Sequence, residues 1–526
     1  MPDPRLDAYV RARTADAIGD DRQAAQLYAQ LATLDPRNPD IADRAVTSAI
    51  SAGAFDLAVT TARAMPVASL NLDARLLLVA DSLRRGRTAD ALALVNEGTP
   101  DRDGGFIAPL LRAWAETEAK HDGQRYLTAS SVVQSMVAPF LPEQRAYLYL
   151  AAGDTASAKP LIAQALARDT GRNSEMRLAF ADGLRRANDP AGATVLLKAG
   201  PATLARFANG TAIPPGATVR TAADAYGALL TGLAIALNQS SDKSLPIALT
   251  RVAQHARPQS GATAVLLALL LDSADRRADA LQQLATVSND DPFAPDAREA
   301  GVKILGAMGR NADAVALAQR GIREAGRAVS PDDYARLGAA YDTAGDHAAS
   351  ADAYGRAAAL ADAAGADNRW TYRLLRADQL SDLKRWPETK AELLAGLAAK
   401  PDEPLLLNFL GYGELEHNEN LDSAEAMIRK AAALRPDDAS IADSLGWALF
   451  KRGKLDEAIG ILSAAAAADP AQGDIQEHLG DVLYTRGRRM EARFAWRAAE
   501  ITADAEQKVR IGQKIDLGLT PATAAP

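Results

Sequence analysis

One interval constrains this chain more than any other property. Near its C-terminal end, the same pattern is written three times, 34 or 35 residues apart. Gly411, Gly446 and Gly480 each directly follow a leucine (Leu410, Leu445, Leu479), and Ala424, Ala458 and Ala492 recur every 34 residues. Pro436 and Pro470 keep the same interval. A strand repeats at period two and a helix face at 3.6, so a period near 34 requires a recurring supersecondary unit whose copies stack.

The residue types say what each unit is. Two short helices packed antiparallel need small residues where their backbones approach, which suits Gly446 on the first helix and Ala458 on the second. Gly453, five residues before Ala458, suits the turn between them, because a positive φ is cheap for glycine. Pro470 ends the second helix, since it cannot donate to the helical ladder. One Leu-Gly pair would carry no information; three in phase set the register.

Period, Leu-Gly pair, small residue and closing proline together resemble the tetratricopeptide repeat. That resemblance implies an all-α fold, a right-handed superhelical solenoid of helix-turn-helix repeats. The phase extends backwards through Gly19 and Ala24, Gly53 and Ala58, Gly86 and Ala91, Gly153 and Ala158, and Leu337-Gly338 with Tyr354. A degenerate unit is expected at 106–141. The expected organisation is an N-terminal array over 1–199, an irregular loop or linker at 200–222, a degenerate middle array over 223–330, a C-terminal array over 331–503, and a capping helix with a disordered tail at 504–526. The break at 200–222 rests on its clustered Gly, Pro and Thr, with Pro214-Pro215-Gly216 as its turn. Val509, Ile511 and Ile515 make the capping helix partly apolar.

Composition narrows the functional classes. Apolar residues make up 48% and aromatics only 5% of the 526 residues, which suits alanine-ridged helices better than an aromatic β core. No uninterrupted apolar run is long enough to span a bilayer. With no cysteine there is no disulfide, thiolate metal site or cysteine nucleophile. The net charge of -8 argues against nucleic acid as a partner, and residues 401–526 hold 21 Asp/Glu against 14 Lys/Arg, so the acidity sits mainly there.

Catalytic chemistry is not legible. The five histidines are scattered, and no phosphate-loop, nucleophile-elbow or zinc-protease motif occurs. Asp290-Asp291 and Asp437-Asp438 lie at helix boundaries, where carboxylates cap free N–H groups. The run Arg486, Arg488, Arg489, Arg493, Arg497 reads as a solvated, ion-paired face. The expectation is no catalytic residue, no cofactor and no metal. The alternatives are a structural assembly factor or an enzyme whose site lacks a known motif.

What remains is surface. In the tetratricopeptide pattern the first helices line a groove, which here gathers Asn408, Phe409, Tyr412, Glu416, Asp443, Ser444, Trp447, Phe450, Lys451, Glu477, His478, Asp481 and Tyr484. The expected partner-binding residues are Asn408, Tyr412, Asp443, Trp447, Lys451, Glu477, His478, Asp481 and Tyr484. Tyr412, Trp447 and Tyr484 would be aromatic anchors, and Asp443, Glu477 and Asp481 would select basic residues in a protein or peptide partner. Trp496 is expected in the core.

DSLGWALFKRGKLDEAI and HLGDVLYTRGRRMEARFAWRAA further resemble proteobacterial cell-envelope tetratricopeptide proteins, including lipoprotein adaptors of carboxyl-terminal processing proteases. The resemblance implies a scaffold in the envelope with such a protease as partner. Members usually carry a signal peptide or lipobox cysteine. Here MPDPRLDAYVRARTADAIGDD shows neither, so the sequence as it stands predicts no export signal.

Overall fold

A computed structural model describes residues 4–35, 38–95, 104–128, 136–168, 171–239, 242–326 and 329–525. Among them every regular element is helical and no strand occurs. The chain forms two compact units, Met1–Met308 and Gly309–Pro526.

The second unit holds the legible repeats: α1 (Pro404–Glu416), α2 (Leu421–Leu434), α3 (Ala439–Lys451), α4 (Leu455–Ala468), α5 (Gly473–Thr485), α6 (Arg489–Thr502) and α7 (Ala505–Leu517). Asp438 starts α3 by accepting from the N–H groups of Ser440 and Ile441, the capping role expected of it. Gly453 makes the next turn at φ +73°.

Within each pair the glycine leaves room for one large side chain of the second helix. A Cβ on Gly446 would lie 2.4 Å from Leu462 Cγ, and one on Gly480 2.3 Å from Trp496 Cδ1. Leu462 and Trp496 stand 34 residues apart and are both fully buried. Burial of this kind contributes about 1.5–3 kcal/mol per large apolar side chain. Successive pairs join through small apolar clusters: Leu407, Ala431 and Ile441 link α1 and α2 to α3, and Ala465, Ala466 and Ile475 link α4 to α5. This is a solenoid of stacked helix pairs.

The first unit is also built of helix pairs, but it closes on itself. Tyr226 Oη donates to the carbonyl of Leu76 at 3.1 Å across 150 residues, and Arg251 Nε donates to Ser51 at 3.1 Å across 200. A plain solenoid, in which repeats touch only neighbours, makes no such contacts.

The expected linker at 200–222 falls inside this unit and is not a boundary. Ala217 and Val219 are buried, Arg220 pairs with Asp182, and the buried Arg257 donates to the carbonyls of Gly216 and Thr218. At Gly216 the glycine reflects close packing, since a Cβ there would lie 1.9 Å from Gln259 O. Of the degenerate unit at 106–141, residues 129–135 lie outside the described residues; Ala108–Glu118 within it is a helix.

Candidate partner-binding face

The first helices α1, α3 and α5 lie side by side, so residues 31 to 36 apart in sequence meet in space. Asn408 Nδ2 donates to Ser444 Oγ at 3.1 Å, Trp447 Nε1 donates to Glu416 at 3.2 Å, and His478 Nδ1 lies 2.9 Å from Asp443. The register read from the repeat therefore brings its chosen residues onto one strip. Their exposure differs from the expectation.

Trp447 is 1% exposed. It stacks on the His478 ring, with centroids 4.2 Å apart, and Lys451 Nζ lies 5.2 Å from the Trp447 ring centre. It is a spacer between stacked helices and not a free anchor. Asp443, Glu477, His478 and Asp481 are buried as well. Burial alone would lower the pKa of His478, but the Asp443 carboxylate outweighs it, so the imidazole titrates above its ordinary value.

The acidic residues do meet basic ones, supplied by the chain's own C-terminal helix. Glu477 accepts from Arg510 at 2.8 Å and from Lys514 at 2.6 Å. Asp481 accepts from Lys514, from Trp496 Nε1 and from the Ala525 N–H, each at 2.8 Å. Burial tends to raise the Glu477 pKa, yet Arg510 and Lys514 hold it below the usual value; in Asp481 burial prevails and the pKa is raised.

Helix α7 therefore continues the stack as one more first helix. Lys514 stands 34 residues after Gly480, a signal present in the sequence but hidden by reading this segment for apolar residues alone. Of those, Ile511 is buried and Val509 exposed. The expected disordered tail instead folds back: Thr523 and Ala525 are buried, and Thr520 and Thr523 hydrogen-bond each other. Only Pro526 lies outside the described residues.

Access on this strip belongs to a smaller set. Asn408, Phe409, Tyr412, Glu416, Phe450 and Tyr484 are half-buried, and Lys451 is exposed and pairs with Glu416 at 3.6 Å. Tyr412 has its phenol pushed well up by burial and then by Glu416 and Asp443, so it stays a neutral donor. Trp496 is the core residue expected. Among the described residues, no cluster of three His, Asp or Glu could hold a metal ion, and no helix is long and apolar enough to cross a membrane.

The helix pairs, their glycine-to-bulk contacts and the 34-residue stacking settle the architecture. The second unit is an all-α array of tetratricopeptide-type repeats, and the described residues of the first are helical as well. No family model matches the chain. A curated protein of Pseudomonas aeruginosa, "TPR repeat-containing protein PA4667", is 35% identical over 83 residues, a stretch covering 16% of this chain and 14% of that protein. The match thus spans about one seventh of the relative's length. Among solved structures, the Cut9-Hcn1 hetero-tetramer of the APC/C covers 98% of the chain and aligns over 97% of its own at 13% identity and TM-score 0.39. YrrB, described as a TPR protein with an unusual peptide-binding site, covers 38% of this chain and 97% of its own at 18% identity and TM-score 0.29. These distant superpositions assign neither a function nor a site.

Proposed function

We propose that this chain is a non-catalytic scaffold that holds a protein or peptide segment along the stacked first helices of its second unit. The observation that supports it is the half-buried aromatic row of Phe409, Tyr412, Phe450 and Tyr484, edged by Glu416 and Lys451 and backed by the buried pairs Asp443–His478 and Glu477–Lys514. A rigid aromatic surface beside charged residues loses little entropy on binding. The buried acids Asp443, Glu477 and Asp481 support this surface from beneath, and Trp447 and His478 hold its spacing. Recognition of a partner falls to Tyr412, Tyr484, Asn408 and Lys451.

The more specific reading is an adaptor for a carboxyl-terminal processing protease in the cell envelope. It is supported by the resemblance of the last repeats to such adaptors and by the match to a tetratricopeptide protein of Pseudomonas aeruginosa. The test mixes the purified chain with that protease from the same source and follows co-elution and substrate turnover. Co-elution lost in Tyr412→Ala, at a cost of about 2 kcal/mol for an anchor, supports both levels of the reading. Absence of co-elution rejects the protease role. The scaffold reading then rests on partners cross-linked to a photoreactive group at position 451 in native extracts, and it fails if Tyr412→Ala and Lys451→Glu leave their binding unchanged.

A further inference from the structure

A second surface, which meets that strip where Arg489 lies over Tyr484, is written on the outward face of α6. Met490, Phe494 and Ile501 are 65%, 62% and 79% exposed, and their spacing of four and seven places them on one side of the helix. The buried residues Ala492, Ala495, Trp496 and Ala499 occupy the opposite side. Large apolar side chains exposed singly are ordinary, but three on one stripe are not.

The repeat supplies an internal control. Thirty-four residues earlier on α4 the same positions hold Asp456, Gly460 and Ala467, and one repeat earlier on α2 they hold Asp422, Ala426 and Ala433. All six are exposed, although a further helix pair follows each of those helices. A following pair therefore does not cover these positions, and core packing does not demand large apolar residues there. Only the last of the three copies carries them.

Charge identifies the occupant. Arg489, Arg493 and Arg497 run along one flank of the stripe. Arg497 is exposed, Arg493 donates to the carbonyl of Ile515, and Arg489 lies over the Tyr484 ring. Two copies of α6 packed antiparallel about a two-fold axis would set these arginine rows against each other, which disfavours that arrangement. An anionic bilayer is broad enough to meet the acidic surroundings as well, since residues 401–526 carry 21 Asp/Glu against 14 Lys/Arg, whereas a single helix meets only the stripe and its arginine flank. We propose that this face docks an amphipathic helix of a partner protein, with an apolar stripe for Met490, Phe494 and Ile501 and acidic residues for Arg489, Arg493 and Arg497.

The test uses the full chain and two fluorescein-labelled synthetic helices of about 18 residues, long enough to hold helix. Both carry the same leucine stripe, flanked by glutamates in one and by lysines in the other. Vesicles of equal parts phosphatidylglycerol and phosphatidylcholine, and sedimentation of the chain alone, form the other arms. The expected result is saturable binding of the glutamate helix, weakened by added salt. Phe494→Asp, and separately Arg489→Glu/Arg497→Glu, should each weaken it at least about tenfold, with circular dichroism and melting unchanged. Ala467→Ser, at the matching position of α4, should bind as the parent does. Four results overturn the proposal: no binding of the glutamate helix, equal binding of the lysine helix, binding indifferent to Phe494→Asp, or Phe494-dependent attachment to vesicles or to a second copy.

Discussion

The ammonium of Lys514 lies 2.8 Å from both carboxylate oxygens of Asp481, and neither side chain has any exposed surface. Lys514 occupies the position that glycine holds in the three preceding first helices. There, glycine admits a bulky residue from the second helix of its pair. In α7 the lysine turns back and joins Glu477 as well, tying the last helix to the repeat before it.

That pair makes the C-terminal helix sensitive to one substitution. Lys514→Ala leaves the fully buried Asp481 without its cation, while Glu477 keeps Arg510, and should cost about 3–5 kcal/mol. Lys514→Ala/Asp481→Asn should recover part of the loss, because one charge goes with its partner. Urea denaturation of the three proteins measures it; equal midpoints for Lys514→Ala and the parent would mean that the pair is not formed in solution.

The helix crossings should reject bulk. Ala458 is fully buried on α4, and Ala458→Leu should destabilise by about 1–3 kcal/mol through overpacking. Ala464 on the same helix is exposed, so Ala464→Leu serves as the control. Thermal melts that coincide for the two variants would show that the repeat register is misassigned.

His478 gives a pH signature with a definite sign. Its pKa in the fold is raised by Asp443 against the opposing effect of burial. The stability it contributes is therefore fully present below the unfolded histidine value, about 6.5, and is lost as pH rises through the higher folded value. Stability of the parent minus that of His478→Gln, measured by urea denaturation from pH 5 to 9, should fall with rising pH. A flat difference would refute the ion pair.

In the first unit Glu175 behaves in the opposite sense. Burial would raise its pKa, but Arg172 and Arg257 hold it down to about 2. Its stabilisation is present above the unfolded glutamate value, about 4.3, and is lost as pH falls towards the folded value. Glu175→Gln should flatten the acid limb of the stability curve between those two values, followed by near-ultraviolet circular dichroism. An unchanged limb would place the acid sensitivity in other carboxylates.

The strip of first helices shows how far the sequence reached towards the site. Phase alone gathered Asn408, Glu416, Ser444 and Trp447 onto one strip, since residues one repeat apart stack, and the fold then paired Asn408 with Ser444 and Trp447 with Glu416. Phase could not say whether the space in front of Trp447, Glu477 and Asp481 is open. That depends on what packs next: His478 covers Trp447, and Arg510, Lys514 and Ala525 cover the acids. The tail lacked a readable signal because its contacts are made by backbone N–H and threonine hydroxyl groups, which leave no periodic trace.

The amino-acid sequence by itself determined the helix pair, its 34-residue interval and the identity of the residues that permit close crossing, because Gly446, Ala458 and Gly453 answer to steric demands within about one repeat. The tertiary structure decided the rest. It closed the first unit through Tyr226 and Leu76, packed 200–222 against Arg257, and folded the C-terminal helix over the acidic row. Each of those outcomes depends on pairing polar groups far apart in the chain. A local pattern shows that a buried Arg257 or Asp481 needs a partner, and only the packed fold brings that partner within hydrogen-bonding distance.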